Sequence, residues 1–224
     1  MSWSDLSEWW LSEIVEDPAY EEVVTPMLLQ ALRPEPGRTY LDLGAGEGRV
    51  MSTVARVGAA VYGVDINRDL AHRALSFGPV VIGRLPDLAF IRNRSFDGAF
   101  SVLVIEHIED HERLFREIGR VVNPRGVFAL VMNHPTWTAP GSTPITDIDG
   151  ETLWRPGGYF SRGTTEEPAG EARVVFHHRR MADLLNAAAA SGWSLEEMTE
   201  APHHDVAEQG GIPRLLTCRW RLLP

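Results

Sequence analysis

Residues 41–50 read L-D-L-G-A-G-E-G-R-V, and this stretch determines how the rest of the chain is interpreted. Three glycines, Gly44, Gly46 and Gly48, stand at alternate positions directly after an apolar run and directly before a helical pattern. Glycine is needed where a backbone takes a positive φ or lies against a ligand. The stretch therefore predicts a strand, a ligand-binding turn and a helix in succession.

An acidic residue stands where a turn of this kind needs a partner. Asp65 comes 21 positions after Gly44 and ends the second predicted strand, the place from which a carboxylate binds ribose hydroxyls. The dinucleotide fingerprint G-x-G-x-x-G would put its last glycine where Arg49 stands. Because a ribose diol occurs in both ligands, a dinucleotide and S-adenosylmethionine (SAM) both stay open on these residues alone.

The rest of the chain alternates predicted strands with predicted helices. Short apolar runs predict strands at residues 39–43, 60–65, 79–82, 97–103, 127–132, 193–199 and 213–222. Apolar residues three and four apart predict helices within residues 3–33, 49–57, 68–76, 110–122 and 178–191. The alternation predicts one α/β domain with a Rossmann-like, mostly parallel sheet covered by helices on both faces.

Two segments lie outside this alternation. Residues 1–36 are predicted to form an N-terminal helical cap. Residues 135–172 are rich in proline and glycine and carry aromatic residues such as Trp137 and Trp154. Loops of this length are commonly functional, so residues 135–172 are predicted to be an insertion that covers the substrate; we call them the insertion.

Composition narrows the kind of ligand and the location. The 224 residues carry a net charge of −10, which argues against a nucleic-acid substrate because phosphate binding relies on clustered positive charge. No apolar run approaches the roughly 20 residues that span a bilayer, and the first ten residues lack the pattern of a signal peptide. The single cysteine, Cys218, excludes an internal disulfide. We expect a cytoplasmic protein, monomer or homodimer, that handles a small molecule.

Several further motifs follow the glycine turn in a fixed order. They are Asp65-Ile66, R-S-F-D-G-A-F-S (94–101), V-I-E-H-I-E-D (104–110) and R-V-V-N-P-R-G (120–126). Together with L-D-L-G-A-G-E-G-R they resemble the class I SAM-dependent methyltransferases over residues 39–132. Helix 178–191 and the following S-G-W-S-L-E resemble a late segment of the small-molecule members of this family. The resemblance implies a seven-stranded sheet with its last strand antiparallel.

The resemblance also implies which residues hold SAM. Gly44, Ala45 and Gly46 would run beneath its methionine part, and Asp42 would hold either the turn or the methionine ammonium. Asp65 would bind the ribose diol. The other implied cofactor contacts are Ile66 and Leu85 against the adenine, Arg84 where many relatives carry an aspartate, Ser101 and Val102 facing the methyl donor, and Trp10 from an N-terminal helix that closes over SAM.

Three histidines are candidate bases for the methyl acceptor. His107 follows the fourth predicted strand, His134 follows the fifth, and His178 begins the helix after the insertion. Histidine is the side chain best suited to proton transfer near neutral pH. Because His134 and His178 flank the insertion, we expect one of them, rather than His107, to take the proton. For each of the three, a helix cap or a brace for the insertion is the alternative role.

No metal ion is expected. Some branches of the family carry a further glutamate three residues before a Glu-His pair like Glu106-His107 and bind a divalent ion there. In this chain that position is Leu103. Without help from His134 or His178, one carboxylate and one imidazole are too few for a convincing metal site.

The residues and the resemblance together predict methyl transfer from SAM to an oxygen, nitrogen or carbon of a small molecule. The pathway that we consider for it is one of secondary metabolism. Two alternatives stay open. An NAD(P)-dependent oxidoreductase shares the glycine turn and Asp65 but prefers glycine at position 49. A non-catalytic SAM-binding protein would act through a partner.

Overall fold

The structure is a computed structural model that describes residues 6, 9–14, 18–169, 172–202 and 211–224. One sheet of seven strands dominates it: β1 Thr39–Leu43, β2 Ala60–Asp65, β3 Val80–Ile82, β4 Phe96–Val102, β5 Val122–Asn133, β10 Trp193–Pro202 and β11 Pro213–Leu222. Two hairpins stand outside this sheet: β6 Thr143–Thr146 with β7 Thr152–Arg155, and β8 Thr164–Ala169 with β9 Ala172–His177.

The strand order in the sheet is β10-β11-β5-β4-β1-β2-β3. The five strands from β3 to β5 are parallel, and β11 runs antiparallel to both of its neighbours, β5 and β10. The predicted α/β class, the seven strands and the antiparallel last strand are therefore confirmed.

Helices cover both faces of the sheet. They are α1 Thr25–Leu32, α2 Arg49–Ala55, α3 Arg68–Ala74, α4 His111–Val121, α5 Pro135–Thr138 and α6 Met181–Ala190. A short 3₁₀ turn, Ile105–His107, follows β4. Within the described residues, no helix is long and apolar enough to cross a membrane.

Alternate side chains of a strand pack against helices on opposite faces of the sheet. In β1, Leu41 and Leu43 belong to the buried cluster that includes Leu114 and Ile118 of α4, whereas Tyr40 belongs to the cluster that includes Leu28 of α1. Successive residues of a strand point to opposite faces, so a five-residue strand contributes to both cores. The carboxyl ends of the parallel strands are left to carry the functional residues.

The N-terminal segment is helical where it is described. Residues Trp10–Ile14 and Tyr20–Val24 form wide π-helical turns that lead into α1. Pro26 lies in the first turn of α1 and has no N–H to donate back into the preceding wide turn. Parts of the predicted cap, residues 1–5, 7–8 and 15–17, lie outside the described residues.

The insertion contains more regular structure than its sequence indicates. It holds α5, the β6–β7 hairpin and most of the β8–β9 hairpin, which continues to His177, beyond the predicted boundary at 172. Trp137 of α5 packs on Trp154 of β7 with ring centroids 4.3 Å apart. Strands β6, β7 and β8 are mostly exposed or half-buried, so they lack the apolar alternation by which a half-buried strand is recognised. In β9, Ala172 and Val174 are buried and alternate with exposed residues.

Candidate active site

The glycine turn joins β1 to α2 in a conformation that favours glycine. Gly44, Gly46 and Gly48 have φ values of 86°, 53° and 90°. A Cβ atom on Gly44 would collide with the side chain of Val104, and one on Gly48 would lie 2.8 Å from Cα of Ala74. A Cβ on Gly46 would meet no atom of the described residues within 4 Å. Gly44 and Gly48 thus permit close packing, whereas Gly46 leaves open space.

Asp65 fixes this turn from the end of β2. Its Oδ2 accepts a hydrogen bond from the backbone N of Gly46 at 2.8 Å, and its Oδ1 accepts one from the backbone N of Asn67 at 2.7 Å. Burial raises the pKa of Asp65, and the hydrogen bonds from Asn67 and Gly46 oppose that rise. Each carboxylate oxygen can accept more than one hydrogen bond, so the group keeps acceptor capacity for a ligand.

Asp42 is a buried carboxyl group in β1. It is 2% exposed, and within the described residues no donor forms a hydrogen bond or ion pair with its side chain. Burial raises the pKa of Asp42 well above its usual value, and the charges of Asp65 and Glu47 add to the rise. Asp65, not Asp42, holds the turn. A buried acid without a donor is costly when charged, so its position suits a cationic ligand group.

Asp42, the glycine turn and Asp65 line one cavity that encloses about 960 Å³ of space between protein atoms, part of it open to solvent at the mouth. All but one of the sequence-predicted cofactor residues line it: Trp10, Asp42, Gly44, Ala45, Gly46, Asp65, Ile66, Arg84, Leu85 and Val102. Ser101 does not. It is fully buried, and its hydroxyl donates to the carbonyl oxygen of Leu43 at 2.9 Å, which corrects the expectation that it faces the cavity.

The N-terminal segment lies against this cavity through side-chain contacts that the sequence does not predict, although Trp10 itself is a predicted cofactor contact. Nε1 of Trp10 donates to Oε2 of Glu47 at 2.7 Å, and Nε of Arg49 donates to Oε1 of Glu47 at 2.6 Å. The Arg49 guanidinium lies 4.4 Å from the ring centroid of Tyr20. All four side chains line the cavity. Arg49, which stands where the dinucleotide fingerprint has its last glycine, directs its side chain to Tyr20, and Gly48 makes the close approach to Ala74.

His107 is the candidate base that lines the cavity. Its Nδ1 lies 3.0 Å from the carbonyl oxygen of Val175 in β9. Since a carbonyl only accepts, Nδ1 carries the hydrogen and Nε2 of the neutral ring has the lone pair. Burial lowers the pKa of His107, and Arg179 adds to this, whereas Glu106 and the bond to Val175 act in the opposite direction.

His134 and His178 do not line this cavity, contrary to the expected placement. Nε2 of His134 lies 2.8 Å from Oε1 of Glu200, and its Nδ1 accepts from the backbone N of Thr136 at 3.1 Å. Both nitrogens of His178 are also engaged, Nδ1 with the Thr138 hydroxyl at 3.1 Å and Nε2 with the carbonyl oxygen of Tyr159 at 2.8 Å. Each ring braces the insertion from within the protein.

Glu106 is directed toward β5. Its Oε1 accepts from the backbone N of Asn133 at 2.5 Å and from the Asn133 amide at 2.8 Å. Among the described residues, no group of three or more His, Cys, Asp or Glu side chains is arranged to hold a metal ion.

Comparisons with known proteins agree with this geometry. A family model described as a methyltransferase domain matches residues 41–130. A SAM-dependent methyltransferase from Mesorhizobium loti, solved by crystallography, is 30% identical with a TM-score of 0.77, and the match covers 88% of this chain and 96% of that one. The ligand left open by the glycine turn is therefore SAM.

Two curated relatives match over shorter regions. A ubiquinone biosynthesis O-methyltransferase from Mesorhizobium japonicum is 29% identical over 146 residues, 62% of this chain and 58% of the relative. Squalene methyltransferase 2 from Botryococcus braunii is 35% identical over 108 residues, 44% of this chain and 28% of the relative. The chain thus spans little more than half, or less, of these relatives' lengths. With the near-complete match to the M. loti structure, the chain belongs to the SAM-dependent methyltransferases.

Proposed function

We propose that this protein transfers the methyl group of SAM to an oxygen, nitrogen or carbon nucleophile of a small molecule. One observation carries the proposal: the Asp42 carboxyl, buried and without a donor among the described residues, lies in the same cavity as the glycine turn, Asp65 and His107. The cavity thus contains Asp42 as an acceptor for a cation, Asp65 as an acceptor for a diol, and His107 as a candidate base.

The residues of the cavity fit SAM part by part. The ammonium of its methionine portion would compensate the Asp42 carboxylate, for which the described part of the chain provides no partner. Asp65 would accept the ribose hydroxyls while it holds the turn. Gly46 has no atom within 4 Å of the place where a Cβ would be, so a ligand can lie directly on its backbone. Ile66, Leu85 and Val102 would supply apolar contacts and Arg84 a polar one at the mouth, where it is exposed.

When bound, SAM supplies an activated methyl group on a sulfonium, and the chemistry of activation is the cofactor's own. The protein contributes alignment, worth up to about 7–11 kcal/mol for well-oriented reactants. A base is needed only where the acceptor carries a proton. We assign that role to His107, because it alone of the three candidate histidines lines the cavity. Its Nε2 lone pair would take the proton.

A small acceptor is supported by the net charge of −10, which disfavours polyanionic substrates. It is also supported by the relatives, whose names refer to ubiquinone biosynthesis and to squalene. A role in secondary metabolism, in the cytoplasm, is part of the proposal. The insertion, on this view, covers the acceptor.

The test is a product search with SAM that carries a deuterated methyl group. The protein is incubated with separate mixtures of phenols, amines, carboxylic acids and stabilised carbon nucleophiles, and mass spectrometry detects a product heavier by one CD₃ in place of hydrogen. The Gly46→Val variant, whose side chain fills the space above the turn, serves as the control for background transfer. S-adenosylhomocysteine binding without transfer to any class would favour the non-catalytic alternative.

A further inference from the structure

Arg179, which follows β9, is a buried cation with an unusual set of partners. Its side chain is 6% exposed, and the hydrogen bonds described for its guanidinium all go to backbone carbonyl oxygens. Nη1 donates to Ile105 at 2.8 Å and to His177 at 3.2 Å, and Nη2 donates to Glu109 at 3.2 Å. Burial lowers the pKa of Arg179 to about 10, so the guanidinium stays charged at neutral pH.

These carbonyls belong to two segments that meet at His107. Ile105 and Glu109 lie two residues before and two residues after it, in the turn that carries its backbone. His177 ends β9, the strand whose Val175 carbonyl accepts from Nδ1 of His107 and whose Phe176 ring lies 4.8 Å from the imidazole, centroid to centroid. One guanidinium therefore ties the backbone of the histidine to the strand that orients its ring.

We propose that Arg179 is a positioning residue that clamps the His107 turn against the end of β9 and so fixes the orientation and tautomer of the His107 ring. The inference rests on the base role proposed for His107. A planar guanidinium offers five donors in a rigid fork and can bond several carbonyls at once, which the compact ammonium of lysine cannot do in the same geometry.

Two substitutions of Arg179 can separate the effect of its hydrogen bonds from the effect of its charge. Glu106 raises the pKa of His107 and Arg179 lowers it, after the larger lowering by burial. Glu109, Asp110, His111 and His177 are further titratable groups near Arg179 or His177. The pKa of His177 is lowered first by burial and then by Arg179, whereas Glu109 raises it. Arg179→Lys keeps the positive charge but removes the fork. Arg179→Gln removes both.

The experiment is a ¹⁵N NMR titration of the His107 ring in the full chain saturated with S-adenosylhomocysteine, with the signal identified by its loss in His107→Gln. No methyl acceptor is needed, so a failure of the clamp and a failure of the base role are seen separately. In the wild type we expect the Nδ1–H tautomer. In Arg179→Lys we expect a mixture of tautomers with little change in the pKa, and in Arg179→Gln the same mixture with a raised pKa.

Arg180→Gln is the matched control, because Arg180 is the next residue and its guanidinium bonds only Asp183 in the described structure. It should leave both the tautomer and the pKa of His107 as in the wild type. Should Arg179→Gln fail to fold or to bind S-adenosylhomocysteine, Arg179→Lys still decides the question. The proposal is overturned if the Nδ1–H tautomer persists in Arg179→Lys, whether or not the pKa moves in Arg179→Gln.

Discussion

Oδ2 of Asp65 lies 2.8 Å from the backbone N of Gly46, so the carboxylate that ends β2 also sets the shape of the turn that follows β1. A side chain predicted only as a ligand contact is therefore part of the turn's own structure. Changing it should affect cofactor affinity and stability together.

Asp65→Asn should weaken S-adenosylhomocysteine binding by about tenfold or more, since hydrogen bonds to a charged group contribute about 1.5–3 kcal/mol each. The melting temperature should also fall, because an amide has only one acceptor oxygen for the N–H groups of Gly46 and Asn67. Calorimetry and thermal unfolding measure the two effects. Asp69→Asn, one turn away and outside the cavity lining, is the control; an unchanged dissociation constant in Asp65→Asn would place the ribose elsewhere.

Asp42 should couple cofactor binding to pH. Burial raises its pKa in the free protein, and a bound ammonium would lower it again. The bound state then holds fewer protons, so S-adenosylhomocysteine affinity should rise with pH and be lost as pH falls through the raised pKa of Asp42. Titration calorimetry in two buffers of different ionisation enthalpy should reveal proton release. Asp42→Asn should bind more weakly and lose this release; a release that persists in the variant would contradict the assignment.

Substitutions of the glycines should affect cofactor binding and protein stability differently. Gly46→Ala and Gly141→Ala each place a side chain at positive φ with no neighbour within 4 Å, and each should cost about 1–2 kcal/mol of stability. Only Gly46→Ala should weaken S-adenosylhomocysteine binding. Gly48→Ala should destabilise the protein more than either, because its Cβ would press on Ala74. Equal affinities in the Gly46 and Gly141 variants would mean that the cofactor does not lie on Gly46.

His107→Gln should lower turnover by about 10²–10⁴-fold on a proton-bearing acceptor found in the product search. His134→Gln and His178→Gln should keep turnover near that of the wild type, since both rings lie outside the cavity lining. Because burial lowers the pKa of His107, wild-type turnover should fall on the acidic side only below the ordinary histidine pKa of about 6.5. A large loss of turnover in the His134 or His178 variant instead would mean that one of these residues takes the proton, as the sequence predicts.

Amide hydrogen exchange should slow in the β8–β9 hairpin when S-adenosylhomocysteine and an acceptor are both bound. We propose that the insertion covers the acceptor, and a cover of this kind must open to let ligands in and out. Amides of β4, in the centre of the sheet, are the internal reference and should exchange slowly throughout. Equal protection of the hairpin in both states would argue against a covering role.

The sequence predicts the sheet and the cofactor end of the site well because both depend on local patterns. The buried strand at Thr39–Leu43, the three glycines and the acid at the end of β2 each follow from what a parallel strand and a positive-φ turn require. The direction of a side chain beyond a strand end is not local. His134 follows β5 as predicted, but its ring points to Glu200, which reaches it only through the strand order of the finished sheet.

The contacts of Arg179 are also not predictable from the sequence. Its partners are carbonyl oxygens of Ile105, Glu109 and His177, and a carbonyl is present at every residue, so no residue type at those positions signals the contact. The Glu47–Trp10 bond is similar: an acid inside a glycine turn reads as solvent-exposed until the N-terminal segment is placed beside it.

The position of β11 has a consequence for the order in which the domain can be assembled. β11 comes last in chain order among the strands of the sheet, yet it lies between β5 and β10. On a ribosome, residues 213–222 emerge after every other strand, so until then β5 has an open edge and β10 has no neighbour to pair with. Contacts this distant in sequence slow folding, and an open strand edge is a site of aggregation. During synthesis the nascent chain therefore has an open edge at β5, in the middle of the final sheet, which only β11 closes.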